Sequence, residues 1–226
     1  MPRNTITDVT KPTIEQIIET PMYQVVAGKA YLKVAAGLAE SDPVILGMAK
    51  TFFAMTLDSH LYSSLMYAAR IHDTQRNAVT MKTLLQRAKE EKGKAKYGAA
   101  EVEKAVSSAE SKLAELEDLL ESLKDRRNQR LAHNDPRTPT DPSLAAAVMQ
   151  EDYENLKRIF AETGKTVNEF SRLFRDVTGI LEILDQEDYK SVIEVLFKAR
   201  WNKCTNMKRN SVCLPRFRGR RVADRE

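Results

Sequence analysis

Apolar positions recur along nearly the whole chain at helical spacing, and no run alternates with the two-residue period of a strand. A first helix is predicted from Thr13, broken or kinked at Pro21, where the ring removes a donor and clashes inside the helix. Tyr23, Val26, Ala27, Ala30, Tyr31, Val34 and Leu38 then share one face. In "ESDPVILGMAK", Asp42 supplies a cap and Pro43 suits the first helical position. The second helix is expected to run on to about His72 and, with few polar residues before Asp58, to be the central, largely buried one. A shorter helix is predicted over Val79–Glu91, followed by a solvated connection in "KEEKGKAKYGAA".

From about Ala99 the pattern sharpens. Val106, Leu113 and Leu120 repeat every seven residues, with Ala109, Leu116 and Leu123 interleaved, which makes an a/d seam able to pack against one or two neighbouring helices. The helix should stop near Asn134, because Asp135 precedes a proline. A proline-rich loop, "NDPRTPTDPS", leads to a further helix over roughly Gln150–Leu184, strained or broken at Gly164. Asp185 can cap a last short helix to about Lys198. The fold class that follows is all-α. The chain divides into an N-terminal extension at 1–11, a helical domain at 12–199 and a tail at 200–226.

Charge changes the picture at one end. Residues 200–226 hold nine Lys/Arg against two Asp/Glu, so the tail carries +7. The first 199 residues, with 27 basic and 30 acidic side chains, carry −3. The basic tail, with Trp201 and Phe217 for stacking, reads either as a nonspecific RNA contact or as a disordered extension that binds a partner. Cys204 and Cys213 have no histidine nearby and read as free thiols rather than a zinc site. The apolar run "PVILGMAKTFFAMTL" is interrupted by Lys50 and falls short of the roughly 20 residues of a membrane span. "MPRNTITDVT" lacks the apolar core of a signal peptide. A cytoplasmic protein is expected, with no cofactor and no metal.

The chemistry gathers in "DRRNQRLAHNDPR", Asp125–Arg137. Continued past Leu120, the seam places Arg127 at the next a position and Arg130 at the next d. Either the arginine stems snorkel from the core, or the stripe emerges at a cleft or subunit interface and the arginines line it. His133 falls in or just beyond the last turn, where unpaired carbonyls favour its protonated form. At about 100° per residue, Arg126 and His133 lie nearly on one face, and Arg127 and His133 about 120° apart; helical geometry leaves the histidine's partner open. One arginine and one histidine suit RNA cleavage without a metal. A neutral imidazole takes the proton of a ribose 2′-hydroxyl, a guanidinium holds the scissile phosphate, and an amide such as Asn128 orients either group. A single histidine does not conveniently serve as both base and acid, which points to two copies facing each other in a homodimer.

"RNQRLAH", Arg127–His133, resembles the signature of the HEPN superfamily, and the "RN…LAHND" form is similar to its AbiU-like, abortive-infection branch. "LMYAARIHDTQRNAVTMKTLLQRA", residues 65–88, and "VNEFSRLFRDVTGILEIL" resemble other helices of that branch, so that the likeness covers about residues 12–197. It implies an HEPN-like helical bundle with a long motif-bearing helix, homodimeric around the motif. It further implies a metal-independent endoribonuclease acting on transfer or messenger RNA in a toxin or antiviral setting. An antitoxin or nucleotidyltransferase partner is the corresponding expectation. Carried over by residue, Arg127, Asn128 and His133 match the motif, with Arg126 and Arg130 beside it. Arg70 and Asp73 match the earlier helix in a supporting role. The alternative is a non-catalytic helical dimer module that binds RNA or a protein partner. His60 is expected to make an internal hydrogen bond, and His72 to take part in a helix-ending salt bridge with Arg70 and Asp73.

Overall fold

The computed structural model describes residues 12–73, 78–131, 142–179, 190–195 and 198, with the side chains of 129–131 and 142–149 left undescribed. Helix α1 (Ile14–Ala39) starts where the sequence places it. Thr13 and Gln16 form a reciprocal capping box: Gln16 N–H donates to Thr13 Oγ1 at 3.4 Å, and Thr13 N–H donates to Gln16 Oε1 at 3.0 Å. The break expected at Pro21 does not occur, and α1 continues through it. The proline forfeits one intrahelical bond, but Ile17, Ile18 and Val25 on either side are fully buried and hold both halves against the core.

Asp42 caps α2 (Pro43–Leu46) as predicted, with Oδ1 accepting from Val44 N–H at 2.8 Å. The single helix expected from there to His72 is divided. A 3₁₀ turn over Gly47–Ala49 intervenes, Ala49 leaves the helical region at φ −140° and ψ 55°, and α3 (Lys50–Ile71) begins anew. Nor is α3 the most buried helix. Phe53, Leu61, Leu65, Ala68 and Ile71 face inward, but Phe52 and Met55 are 61% and 66% exposed. α1 and α3 run antiparallel, and Tyr31 meets both His60 and Tyr67 across the pair.

Thr80 caps α4 (Met81–Glu90), which buries Met81, Leu84, Leu85 and Ala88. The connection after it is fastened to the protein rather than merely solvated. Lys96 N–H donates to Leu173 O at 2.9 Å, Tyr97 donates its hydroxyl proton to Asp176, and the Arg172 guanidinium lies 4.9 Å from the Tyr97 ring centre. Gly98, at φ +91°, makes the turn into the next helix, a conformation that disfavours any Cβ.

The predicted long helix is α5 (Ala99–Glu115) followed by α6 (Glu117–Leu131). Only Leu116 separates them, and hydrogen bonding persists across it: Leu116 N–H is shared between Lys112 O and Leu113 O, and Leu120 N–H reaches Leu116 O at 2.9 Å. On the seam, Ala109, Leu116 and Leu123 are buried, whereas Leu113 and Leu120 are half-buried. The last long helix, α7 (Pro142–Arg175), runs unbroken through Gly164 and ends before the expected Leu184. Asp176, at φ 59°, turns the chain there and receives the Tyr97 hydroxyl. Leu156, Ile159, Phe160, Val167, Phe170 and Leu173 of α7 form the centre of the core with the apolar face of α1. Among the described residues the fold is all-helical, without a strand, and no described helix is long and apolar enough to cross a membrane.

Candidate functional site

Consecutive helical residues point about 100° apart, and on α6 that rotation sends two adjacent arginines to different neighbours. Arg126 turns toward α7, with Nε 3.6 Å from Asp152 Oδ1 and Nη2 3.9 Å from Glu151 Oε2. Asp152 is only 4% exposed at its side chain, so Arg126 balances a carboxylate withdrawn from water. Arg127 continues the half-buried row of Leu113 and Leu120 and emerges on a groove of about 670 Å³. Its Nε and Nη2 lie 3.4 and 3.3 Å from Oδ1 of the exposed Asn128, at the long limit of a hydrogen bond. The guanidinium therefore keeps most of its donors for another partner.

The groove is bounded by the C-terminal end of α3, by α4, and by α5 and α6. Asp73 and His72 line it as well. Arg70, paired with Asp73 in the sequence reading, goes elsewhere: its guanidinium sits 5.7 Å from the Tyr67 ring centre. The salt bridge expected for His72 gives way to a hydrogen bond. His72 Nε2 lies 3.0 Å from the hydroxyl of the buried Thr163 on α7. Burial holds the imidazole pKa down to about 4, so the ring is neutral at pH 7. A register signal for His72 was present, since it continues the inward row Leu61, Leu65, Ala68 at helical spacing. His60 makes the expected internal bond, with Nδ1 2.7 Å from Thr56 O and the ring packed against Tyr31.

Arg130 belongs to α6, but its side chain is outside the described residues, as are His133, Trp201, Cys204, Cys213 and Phe217. The described half of the arginine–histidine motif is thus a pair with divided tasks. Arg126 ties the helix end to α7, and Arg127 opens onto the groove that Asp73 and neutral His72 also line.

Comparison with known protein families matches residues 40–193 to the family described as AbiU2, an HEPN class. The matched span runs from the C-terminal cap of α1 past α7 and contains Arg70, Asp73, Arg127, Asn128 and His133. No curated protein and no solved structure matches the chain.

Proposed function

The chain belongs to the AbiU2 family of HEPN domains, and on that basis we propose that it is a metal-independent endoribonuclease of an abortive-infection or toxin system. The observation that carries the reading is the family match across Arg127–His133, joined to the position of Arg127 on an open groove while its neighbour is held by α7. In this mechanism the Arg127 guanidinium binds two oxygens of the scissile phosphate, and Asn128 helps orient it. The neutral His133 imidazole takes the 2′-hydroxyl proton. The 2′-oxygen attacks phosphorus and the bond to the 5′-oxygen breaks. The leaving 5′-oxygen takes a proton from the motif histidine of a second copy, which makes the active species a homodimer. The products are a 2′,3′-cyclic phosphate and a 5′-hydroxyl. Arg126 and Arg130 flank Arg127 in the sequence, and Asp73 lines the same groove. Transfer or messenger RNA is the substrate class, and an antitoxin or nucleotidyltransferase is the partner that would restrain the activity.

The test is cleavage of a defined RNA and of the same RNA with a single 2′-deoxy substitution at the mapped cut. Cleavage of the first, survival of the second and persistence of activity in chelator support the reading. Equal cleavage of both RNAs would exclude 2′-hydroxyl attack. A second reading, a non-catalytic module that binds a protein partner, is favoured by one observation. Glu117 and Glu121 line the same groove as Arg127 and would repel a phosphate backbone laid along it. No cleavage of any RNA by the wild-type dimer would select this reading.

A further inference from the structure

The groove beside Arg127 has properties that the cleavage reading does not use. It extends along α5 and α6 from Glu110 to Arg127, about 25 Å at the helical rise per residue. Its floor is aliphatic: Ala69, Leu113, Ala114 and Leu120 are at least partly open, with Leu85 and Leu123 beneath them. Over the stretch from Glu110 to Glu121 its two long walls carry opposite charge. Lys82 and Lys89, with Gln86 between them, come from α4. Glu110, Glu117 and Glu121 come from α5 and α6, with Lys124 and Arg127 following them. At one end the walls are tied together, with Lys89 Nζ 2.6 Å from Glu110 Oε1. Beyond that tie, Lys82, Glu117 and Glu121 are exposed and have no ion-pair partner among the described residues.

We propose that this groove is the docking site for an amphipathic α-helix of a partner protein. The helix would lay an apolar stripe on the Leu113–Leu120 floor, with an acidic edge toward Lys82 and a basic edge toward Glu117 and Glu121. Length, floor and rim each contribute to this choice. A 25 Å trough accommodates about four helical turns. An aliphatic floor takes side chains at i, i+3, i+4 and i+7 spacing. Walls of opposite sign select a helix whose two polar edges differ in charge and penalise one with like edges. A nucleic-acid strand laid along the same stretch meets Glu117 and Glu121 before it reaches Lys124 and Arg127. The proposal stands independently of RNA cleavage. If both hold, the docked helix lies next to Arg127 and obstructs it.

The experiment uses the full chain and two 18-residue helical peptides labelled for fluorescence anisotropy. Both carry leucines at helical spacing. One has glutamates along one edge and lysines along the other; the second has glutamates along both. Wild type should bind the mixed-edge peptide at least tenfold more tightly. The exposed double substitution Glu117→Lys/Glu121→Lys should retain the fold by circular dichroism and reverse the preference. Failure to bind either peptide, equal binding of both, or an unchanged preference in the double variant overturns the proposal. Sedimentation adds a separate arm: if the charge reversal splits a wild-type dimer, the groove is a contact between copies and the partner-helix assignment falls. Displacement of the mixed-edge peptide by a short single-stranded RNA that is undiminished in Arg127→Ala would overturn it in favour of RNA lying along the groove. RNA cleavage is read in parallel, so loss of either claim is visible without the other.

Discussion

Gly28→Ala isolates the contact that sets the distance between α1 and α7. An ideal Cβ at position 28 would lie 2.2 Å from Phe160 Cζ, 2.4 Å from Cε1 and 3.0 Å from Cε2. Phe160 is 1% exposed and sits among Ile17, Val25, Leu156 and Ile159 in the core, so its ring has little room to retreat. The Gly28 carbonyl also accepts the buried Ser64 hydroxyl at 3.0 Å, which ties the same point of α1 to α3. Two effects oppose each other. Alanine favours the helix by about 1 kcal/mol over glycine, while overpacking a closed core costs about 1–3 kcal/mol and occasionally more. Because the whole outer edge of an enclosed ring is in the way, the upper end applies, and the net loss should be about 2 kcal/mol. For a domain of this size that lowers the melting temperature by roughly 4–8 °C, measurable by far-UV circular dichroism. Phe160→Leu removes the obstructing ring atoms. In the double variant Gly28→Ala/Phe160→Leu, the alanine should therefore cost at least about 1 kcal/mol less than it does alone. A Gly28→Ala protein melting at or above wild type, or strictly additive effects, would refute the packing argument.

His72 makes stability depend on pH with a definite sign. Its folded pKa of about 4 lies below the ordinary value, so between those two pH values the unfolded chain binds a proton that the native ring does not. Its contribution is therefore complete above about pH 6.5, is lost as pH falls toward 4, and levels off below that, to a total of roughly 3 kcal/mol. Urea melts at pH 7 and pH 4.5 should show a smaller difference for His72→Gln than for wild type; identical pH dependence would contradict the assignment. The adjacent arginines should separate cleanly. Arg126→Ala, which removes the guanidinium beside buried Asp152, should lower stability by about 1–3 kcal/mol. Arg127→Ala should leave stability within about 0.5 kcal/mol and abolish RNA cleavage; the opposite pattern in thermal melts and cleavage assays would reverse their roles.

The start of each helix was legible where a side chain carries the signal itself, as Thr13 and Asp42 do. The heptad rule also foresaw that leucine yields to arginine on α6, and the structure adds that the Leu113–Leu120 side of the seam opens onto a groove. What local pattern left open depended on long-range partners. Helical angle brought Arg126 closer than Arg127 to the face of His133, but Asp152, 26 residues further along the chain, is what claims Arg126. Pro21 and Gly164 are local helix breakers overruled by burial of the helices that contain them. The lysine- and glycine-rich connection gave no hint of its anchorage, because Tyr97 finds Asp176 79 residues away. The role of His72 was hidden for the same reason, since its partner Thr163 lies 91 residues on.

RNA cleavage by the Arg127–His133 motif is tested by incubating total RNA with the wild type and with His133→Ala and mapping the new ends. Discrete cuts with 5′-hydroxyl ends are expected from the wild type and none from the variant, with helicity and dimerisation unchanged. A His133→Ala protein that cuts at the wild-type rate would contradict cleavage by this motif.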